Sequence, residues 1–351
     1  MSSCCRVALL GFGTVGSAVA RRLTAPESGT PSTIQLTHIV DRRAVEKRAA
    51  LPADGVVWTT SIDEALQSGA DVVVEAIGGV EPAAAWIRAA LLAGKSVVTA
   101  NKQVVARHGQ SLLTLAARQG RQLRFEAAVG GAMPIVRAIG EGLAGDRITR
   151  LVAILNGTTN AVLSQMEATG CALDAAVRAA RARGYAEADP SADIEGHDAR
   201  AKLAILCALA FGLHVDASQI GLRSSASIGA ADFARARRRG ATIRQIAYAD
   251  YDRAAAALTA WVAPVEVDQA SIFARTTGPQ NAAVITGAHS GDVGIFGAGA
   301  GGDATAVAIL GDLLAIARDK AAIVPAPALS EDFRFRVSEF RLESGELLEA
   351  S

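Results

Sequence analysis

Asp198 and Lys202 are residues whose types and spacing suggest chemistry. Four positions apart on a helix, they share one face and set a carboxylate beside an ammonium. The helix opens after Gly196 and runs on through residues 203–213, a nearly all-apolar and therefore buried stretch. The pair stands where solvent gives way to core. An ordinary ion pair on a helix surface has the same pattern. The residues ahead of it favour chemistry. Between Gly184 and Lys202 lie the acids Glu187, Asp189, Asp193, Glu195 and Asp198. Gly184 and the Asp189–Pro190 step keep the first part of that stretch irregular. Carboxylates gathered around one lysine suit a small cationic substrate, such as an amino acid, together with a proton donor.

A second constellation lies near the N-terminus. Arg6-Val-Ala-Leu-Leu10 reads as a buried strand and leads at once into Gly11-Phe12-Gly13-Thr14-Val15-Gly16, and residues 17–23 continue as a helix. Strand, glycine turn and helix in that order form a dinucleotide-binding signature. The first glycine permits the turn, the second lets backbone approach a pyrophosphate, and the third allows close helix packing. The helix N-terminus faces the anion. A glycine-rich turn without ligand is the plainer alternative. The next strand, 34–40, ends in Asp41-Arg42-Arg43. An acid there holds the ribose hydroxyls of NAD, whereas an arginine accepts the 2′-phosphate of NADP. Both are present; the two arginines tip the expectation to NADP, with NAD as the other option.

These residues need elements to position them. Strands are expected at 71–76, 96–100 and 123–127, with helices at 82–94 and 104–119 between them. Such alternation means a parallel, doubly wound sheet with ligands at the carboxyl ends of its strands. Gly11–Gly16, Ile77-Gly78-Gly79 and Lys102 all fall at those ends. After Glu126 the pattern changes. An irregular turn covers 129–134, a strand covers 151–155, and Asn156-Gly-Thr158-Thr-Asn160 follows as a turn rich in donors. An amphipathic helix (173–183), strands at 258–262, 282–286 and 291–296, and few crossovers describe an α+β half with a mixed sheet. Gly297 to Gly302, including Gly299, is a second glycine turn ahead of a helix. The expected class is α/β, in two domains. Residues 1–130 form a Rossmann-type NAD(P)-binding domain completed by helix 303–320. Residues 131–302 form a catalytic and dimerisation domain, and 330–351 form a tail.

The totals exclude other classes. In 351 residues, 35 basic and 35 acidic side chains cancel, so no net field invites nucleic acid or an anionic membrane. The longest apolar run is too short to span a bilayer. The N-terminus is expected to lead straight into a strand, with no signal peptide. Cys4, Cys5, Cys171 and Cys207 lack zinc spacing. A cytoplasmic protein is expected.

Taken together, the motifs resemble the homoserine dehydrogenase family. The matching residues are the Gly11–Gly16 turn, Val98-Thr-Ala-Asn-Lys102, Phe125-Glu-Ala-Ala-Val-Gly-Gly131, Asn156-Gly-Thr-Thr-Asn160, Gly184-Tyr-Ala-Glu-Ala-Asp-Pro190, Asp193-Ile-Glu-Gly196 and Gly297-Ala-Gly-Ala-Gly301. The resemblance implies reduction of aspartate 4-semialdehyde to homoserine with NADH or NADPH, on the branch leading to threonine and methionine. It implies Lys202 as proton donor, Lys102 as a second active-site lysine, and Glu187 and Asp198 as substrate-binding acids supported by Asp193. It also implies a monovalent cation, usually sodium, on the backbone around Glu126, Val129 and Gly131. The chain departs from the family in having Ala298 where a proline is usual, and it is expected to carry neither the ACT domain that follows the catalytic part in many relatives nor an aspartokinase segment before it. Threonine is therefore not expected to inhibit through a dedicated C-terminal site, and competition with homoserine stays open as the alternative route.

Hydride arriving at an aldehyde carbon builds negative charge on its oxygen, which needs a donor within reach. A carboxylate such as Asp198 favours the charged form of a neighbouring lysine and orients it. The substrate's ammonium needs acids, Glu187 first. Its carboxylate needs Lys102 or the turn holding Asn156 and Thr158. Two rivals are a thiolate-dependent acylating dehydrogenase and a cofactor-binding regulator without catalysis. Cys171 and Cys207 have no paired histidine, and a regulator has no use for Lys202 among acids. A homodimer, or a dimer of dimers, is expected through the second domain.

Overall fold

The computed structural model describes residues 4–25 and 33–342. The expected loop at 26–33, apart from Thr33, and the polar end from 343 lie outside them. The chain divides into two compact units, Met1–Ala132 with Gly301–Pro327, and Met133–Ala300 with Ala328–Ser351.

The first unit is built on six strands: β1 (Cys5–Leu10), β2 (Ile34–Val40), β3 (Val57–Thr59), β4 (Val72–Glu75), β5 (Ser96–Thr99) and β6 (Leu123–Arg124). Their order is β3-β2-β1-β4-β5-β6, and every pairing is parallel. Parallel strands are covered on both faces, so they read as apolar runs without alternation; all of β4 and β5 is buried. The short edge strand β3, with Val57 exposed, has no such run to mark it in the sequence. The strand expected over 123–127 stops at Arg124, because Glu126–Ala128 turns as a 3-10 helix. Helix Gly302–Arg318 returns to this unit. Its Ala306, Ile309 and Leu313 join Leu9, Ala18 and Val19 in one core.

The second unit holds β7 (Ile148–Ile154), β8 (Gly221–Leu222), β9 (Ala241–Asp252), β10 (Ala257–Asp268), β11 (Gln280–Gly287), β12 (Gly291–Ala298) and β13 (Arg334–Phe335). The order is β12-β11-β7-β9-β10-β13, with β8 also beside β10. The long neighbours are antiparallel, while β8 and β13 run parallel to β10. The expected strand at 258–262 is only part of β10, which pairs along its whole length with the unanticipated β9. Helices Gly157–Thr169 and His197–Phe211 pack on this sheet. Phe273, Phe340 and Leu342 pack against a core of Ile246, Tyr248 and Trp261. Residues 330–342 are thus not a separate tail: β13 pairs with β10, and the Phe340 ring meets Trp261 edge-on at 5.9 Å. The fold is α/β, a doubly wound parallel sheet plus a mixed-sheet unit, as the sequence indicates.

Candidate active site

Asn156 ends β7's exit and caps helix Gly157–Thr169; its Oδ1 accepts the Thr159 N–H at 2.7 Å. The expected donor-rich turn is therefore a helix start. The other end of the Asn156 amide does more. Its Nδ2 donates to Asp193 Oδ1 at 2.7 Å and to Asp198 Oδ2 at 2.8 Å. The same Asp198 oxygen meets Lys202 Nζ at 2.8 Å, and Nζ also donates to the Leu155 carbonyl at 2.8 Å. Side-chain exposure is 5% for Asp198 and 11% for Lys202, so this is no solvated surface pair. Asn156, Asp193, Asp198 and Lys202 form one connected network. Thr158 lies beside it, with Oγ1 donating to the Tyr185 carbonyl at 2.8 Å and tying the acidic loop to the helix.

Gly196 sets the network's geometry. It stands at φ +87° just before helix His197–Phe211, and a Cβ there would lie 2.9 Å from Leu222 Cδ1. Only glycine suits both demands. The expected ring of five acids is smaller than its composition suggests. Asp189 accepts the Ser191 N–H, Glu195 pairs with His197, and Glu187 is exposed. Among the described residues no hydrogen bond joins the Glu187 carboxylate to Lys202; its backbone carbonyl accepts from Arg181. Short-range pairing in a polar loop consumes acids that composition alone leaves unassigned.

In the first unit the glycine turn follows β1. A Cβ on Gly16 would lie 2.0 Å from the Gly11 carbonyl oxygen, so the third glycine is what allows the helix to start there. Helix Thr14–Thr24 has no side-chain cap at Gly13, which leaves its first amides for an anion. Phe12 is buried, with its ring 4.8 Å from Trp58. Val15 packs on the sheet core. Gly11 abuts Ile77, and Asn101 Nδ2 reaches the Gly79 carbonyl at 2.6 Å. Lys102 begins helix Lys102–Arg118 at the carboxyl end of β5. The turn, the 77–79 loop and the start of the Lys102 helix lie along one edge of the sheet. Lys202 belongs to the other unit.

Two residues at this edge carry no motif and escape a sequence reading. Glu75, at the end of β4, is fully buried. Its carboxylate accepts from the Ile77 and Gly78 amides and from Thr99 Oγ1. Ile77 and Gly78 are residues expected to serve the cofactor, and their amides are thereby committed inward. Lys47 is the second. Its Nζ donates to Asp41 Oδ2 at 2.7 Å and to the Phe12 carbonyl at 2.9 Å. Asp41 also accepts the Phe12 and Arg43 amides. Burial alone would push the Asp41 carboxyl up; Lys47 and the two amides outweigh it and hold it below the usual range. Arg42 and Arg43 are exposed. A basic side chain six residues after the acid, on the helix Ala44–Lys47, is the only sequence signal for this pair.

Glu126 and Val129 are buried, and Gly131 adopts φ +66°. The Glu126 amide donates to Asp312 Oδ2 at 3.0 Å, so two buried acids adjoin this bend. That charge suits a cation held largely by backbone oxygens. Among the described residues no cluster of three His, Cys, Asp or Glu side chains could hold a metal. Gly299 lies in the second unit, its amide bonded to the Pro279 carbonyl and its Cα face against Asn281. Cys207 is fully buried, and burial pushes its thiol up to about 12, the reverse of a reactive thiolate. Among the described residues no helix is long and apolar enough to cross a membrane.

The chain matches two family models along most of its length. Residues 11–126 match the homoserine dehydrogenase NAD-binding domain, and residues 134–314 match the homoserine dehydrogenase model. It is 41% identical over 324 residues to the homoserine dehydrogenase of Mycobacterium leprae, covering 90% of this chain and 72% of that one. A homoserine dehydrogenase structure from Thiobacillus denitrificans superposes with TM-score 0.86 at 33% identity, covering 96% of this chain and 80% of that one. A hyperthermophilic archaeal homoserine dehydrogenase in complex with NADPH gives TM-score 0.74 at 27% identity, covering 91% and 99%. The chain belongs to the homoserine dehydrogenase family of NAD(P)-dependent oxidoreductases.

Proposed function

We propose that Lys202 is the proton donor in an NAD(P)-dependent interconversion of aspartate 4-semialdehyde and homoserine, and that NADPH is the preferred cofactor. The carrying observation is the seat of Nζ. Asp198 and the Leu155 carbonyl fix it. An ammonium has about three N–H donors, so one remains to meet a substrate oxygen. The cofactor supplies the hydride when bound. As charge builds on the carbonyl oxygen, Lys202 stabilises it and passes its proton, while Asp198 keeps the ammonium aimed. Asn156 ties Asp198 to Asp193, so orientation depends on all four residues.

Asp193 and Glu187 are assigned to the substrate's ammonium, Glu187 from the exposed loop. The first-turn amides around Thr158 and the Lys102 ammonium are assigned to its carboxylate. The Gly11–Gly16 turn, with Gly299 as a further contact, is assigned to the cofactor. Its adenine ribose would meet Asp41, Arg42, Arg43 and Lys47. Asp41's oxygens already hold three donors, which favours a cofactor bringing its own phosphate to those cations. A sodium ion would be held by Glu126, Val129 and Gly131, where buried acids adjoin the bend. A homodimer through the second unit completes the reading.

The direct test is homoserine-dependent reduction of NADP and NAD by the purified chain, wild type and Lys202→Ala, with cofactor binding followed separately by fluorescence. Turnover by the wild type and its loss in a variant that still binds cofactor support the reading. An unimpaired variant transfers the role to another group, Lys102 first.

A further inference from the structure

The opposite edge of the parallel sheet carries a basic cavity that hydride transfer does not use. It measures about 230 Å³ and is lined by Arg6, Asp71, Lys95, Arg121 and Lys320, all within the first unit. Four cations share it with one carboxylate. Asp71 accepts the Arg6 amide at 2.8 Å, and its two oxygens lie 3.9 Å from Arg6 Nε and 3.4 Å from Lys320 Nζ. One acid is therefore divided between two cations.

Lys95 is 5% exposed, and its Nζ donates to the Ser68 and Ala70 carbonyls at 2.9 and 2.8 Å. Among the described residues no carboxylate pairs with it. Burial draws its ammonium below the ordinary lysine value; Asp71 pulls the other way, and Arg6 and Arg121 add to the lowering. The Nε of Arg121 is buried without a hydrogen-bond partner. A Cβ on Gly69 would lie 2.5 Å from Arg6 Nη1, so the glycine is what admits that guanidinium to the cavity. Gathered like charges repel, and a buried unpaired charge is costly. A doubly charged oxyanion relieves both at once, and guanidinium groups match its geometry.

We propose that this cavity binds a phosphate group, clamped by Arg6, Lys95, Arg121 and Lys320. The four side chains come from the start of β1, the entries to β5 and β6, and the segment after helix Gly302–Arg318. One anion would thus pin together segments distant in sequence, including the helix that returns to this unit. Occupancy should raise thermal stability by linkage. The site is separate from the glycine turn, which lies at the other ends of the same strands.

The test is calorimetric titration and thermal unfolding with inorganic phosphate, and with glycerol 3-phosphate as a phosphomonoester. Potassium chloride holds ionic strength constant, and NADP is saturating so that the cofactor's own anion cradle is filled. Wild type should bind saturably and rise in Tm; the tighter of the two probes tells free phosphate from an esterified one. Arg121→Ala with Lys320→Ala, both on the cavity rim, should weaken binding at least tenfold while leaving dehydrogenase turnover in place. Lys95→Met should abolish binding if it folds; the rim variant decides if it does not. Equal binding by wild type and the rim variant, or a chloride series that reproduces the Tm rise, overturns the proposal. The cations would then only compensate backbone carbonyls at element ends, as Lys95 does at Ser68 and Ala70.

Discussion

At Lys202 the structure makes one hydrogen-bond direction available and fixes the others. Lys202→Ala should therefore lower turnover by about a hundredfold to ten-thousandfold, the usual range for a lost general acid, with cofactor affinity little changed. Asp198→Asn keeps the shape and removes the charge. It should lower kcat more than it raises KM, because orientation of Lys202 matters most as the oxygen gains charge. Steady-state kinetics in both directions checks each. At the other unit's edge, Lys47 rather than the exposed arginines is the best-anchored cation, through Asp41 and the Phe12 carbonyl. Lys47→Met should raise KM for NADPH more than for NADH; an equal effect on both would assign Lys47 to holding the turn alone. Asp41 adds a pH prediction. Its folded carboxyl lies below the ordinary 3.8. Its contribution is therefore complete above about 3.8 and is lost as pH falls through the lower folded value. Wild type minus Asp41→Asn stability, measured by denaturant titration from pH 6 downward, should be constant near neutrality and shrink below about pH 4.

Elements decide which of these residues could be read from sequence. The glycine turn was legible because an apolar run, three glycines and a helix follow one another without a break, and each has a single local meaning. The Asp198–Lys202 face was legible for the same reason, since an i,i+4 spacing survives any tertiary context. What Asn156 does was not. Its side chain serves as a helix cap on one side and as the bridge between Asp193 and Asp198 on the other, and the second role needs residues 37 and 42 positions away. Strand β9 was hidden by Arg244 and Gln245, polar residues inside a buried strand. The fold pairs the Arg244 Nη atoms with Glu167 Oε2 at 2.8 Å and the Ala274 carbonyl at 2.9 Å. Glu75 was hidden likewise, as a carboxylate closing an otherwise apolar run. The acids of the 187–195 loop were visible by type but not by direction. Gly196 shows how an element boundary carries function. Gly196→Ala should destabilise the protein by about 1 kcal/mol or more from backbone strain and the Leu222 contact. It should also lower kcat by shifting Asp198 and Lys202 together. A loss of stability with unchanged kcat would confine its role to folding.

For the whole molecule, the edges of the second sheet bear on association. One of its edges is covered: β10 carries β8 over Trp261–Val262 and β13 over Ala257–Leu258. The other edge is β12, whose outer side has no partner among the described strands. Proteins blunt such edges with charge, proline or irregularity. From Val293 to Ala298 this strand has none of them, and Phe296 is 67% exposed. An uncharged edge with an exposed aromatic is expected to recruit a second copy, which would bury the ring and pair the edge amides. Light scattering at micromolar concentration should report at least twice the 36.0 kDa chain mass. Phe296→Lys places a charge on that edge and should raise the dissociation constant at least tenfold. Sedimentation across a concentration series measures it. A dimer indifferent to Phe296→Lys would move the interface to another surface of the second unit. A stable monomer with full activity would remove the assembly altogether.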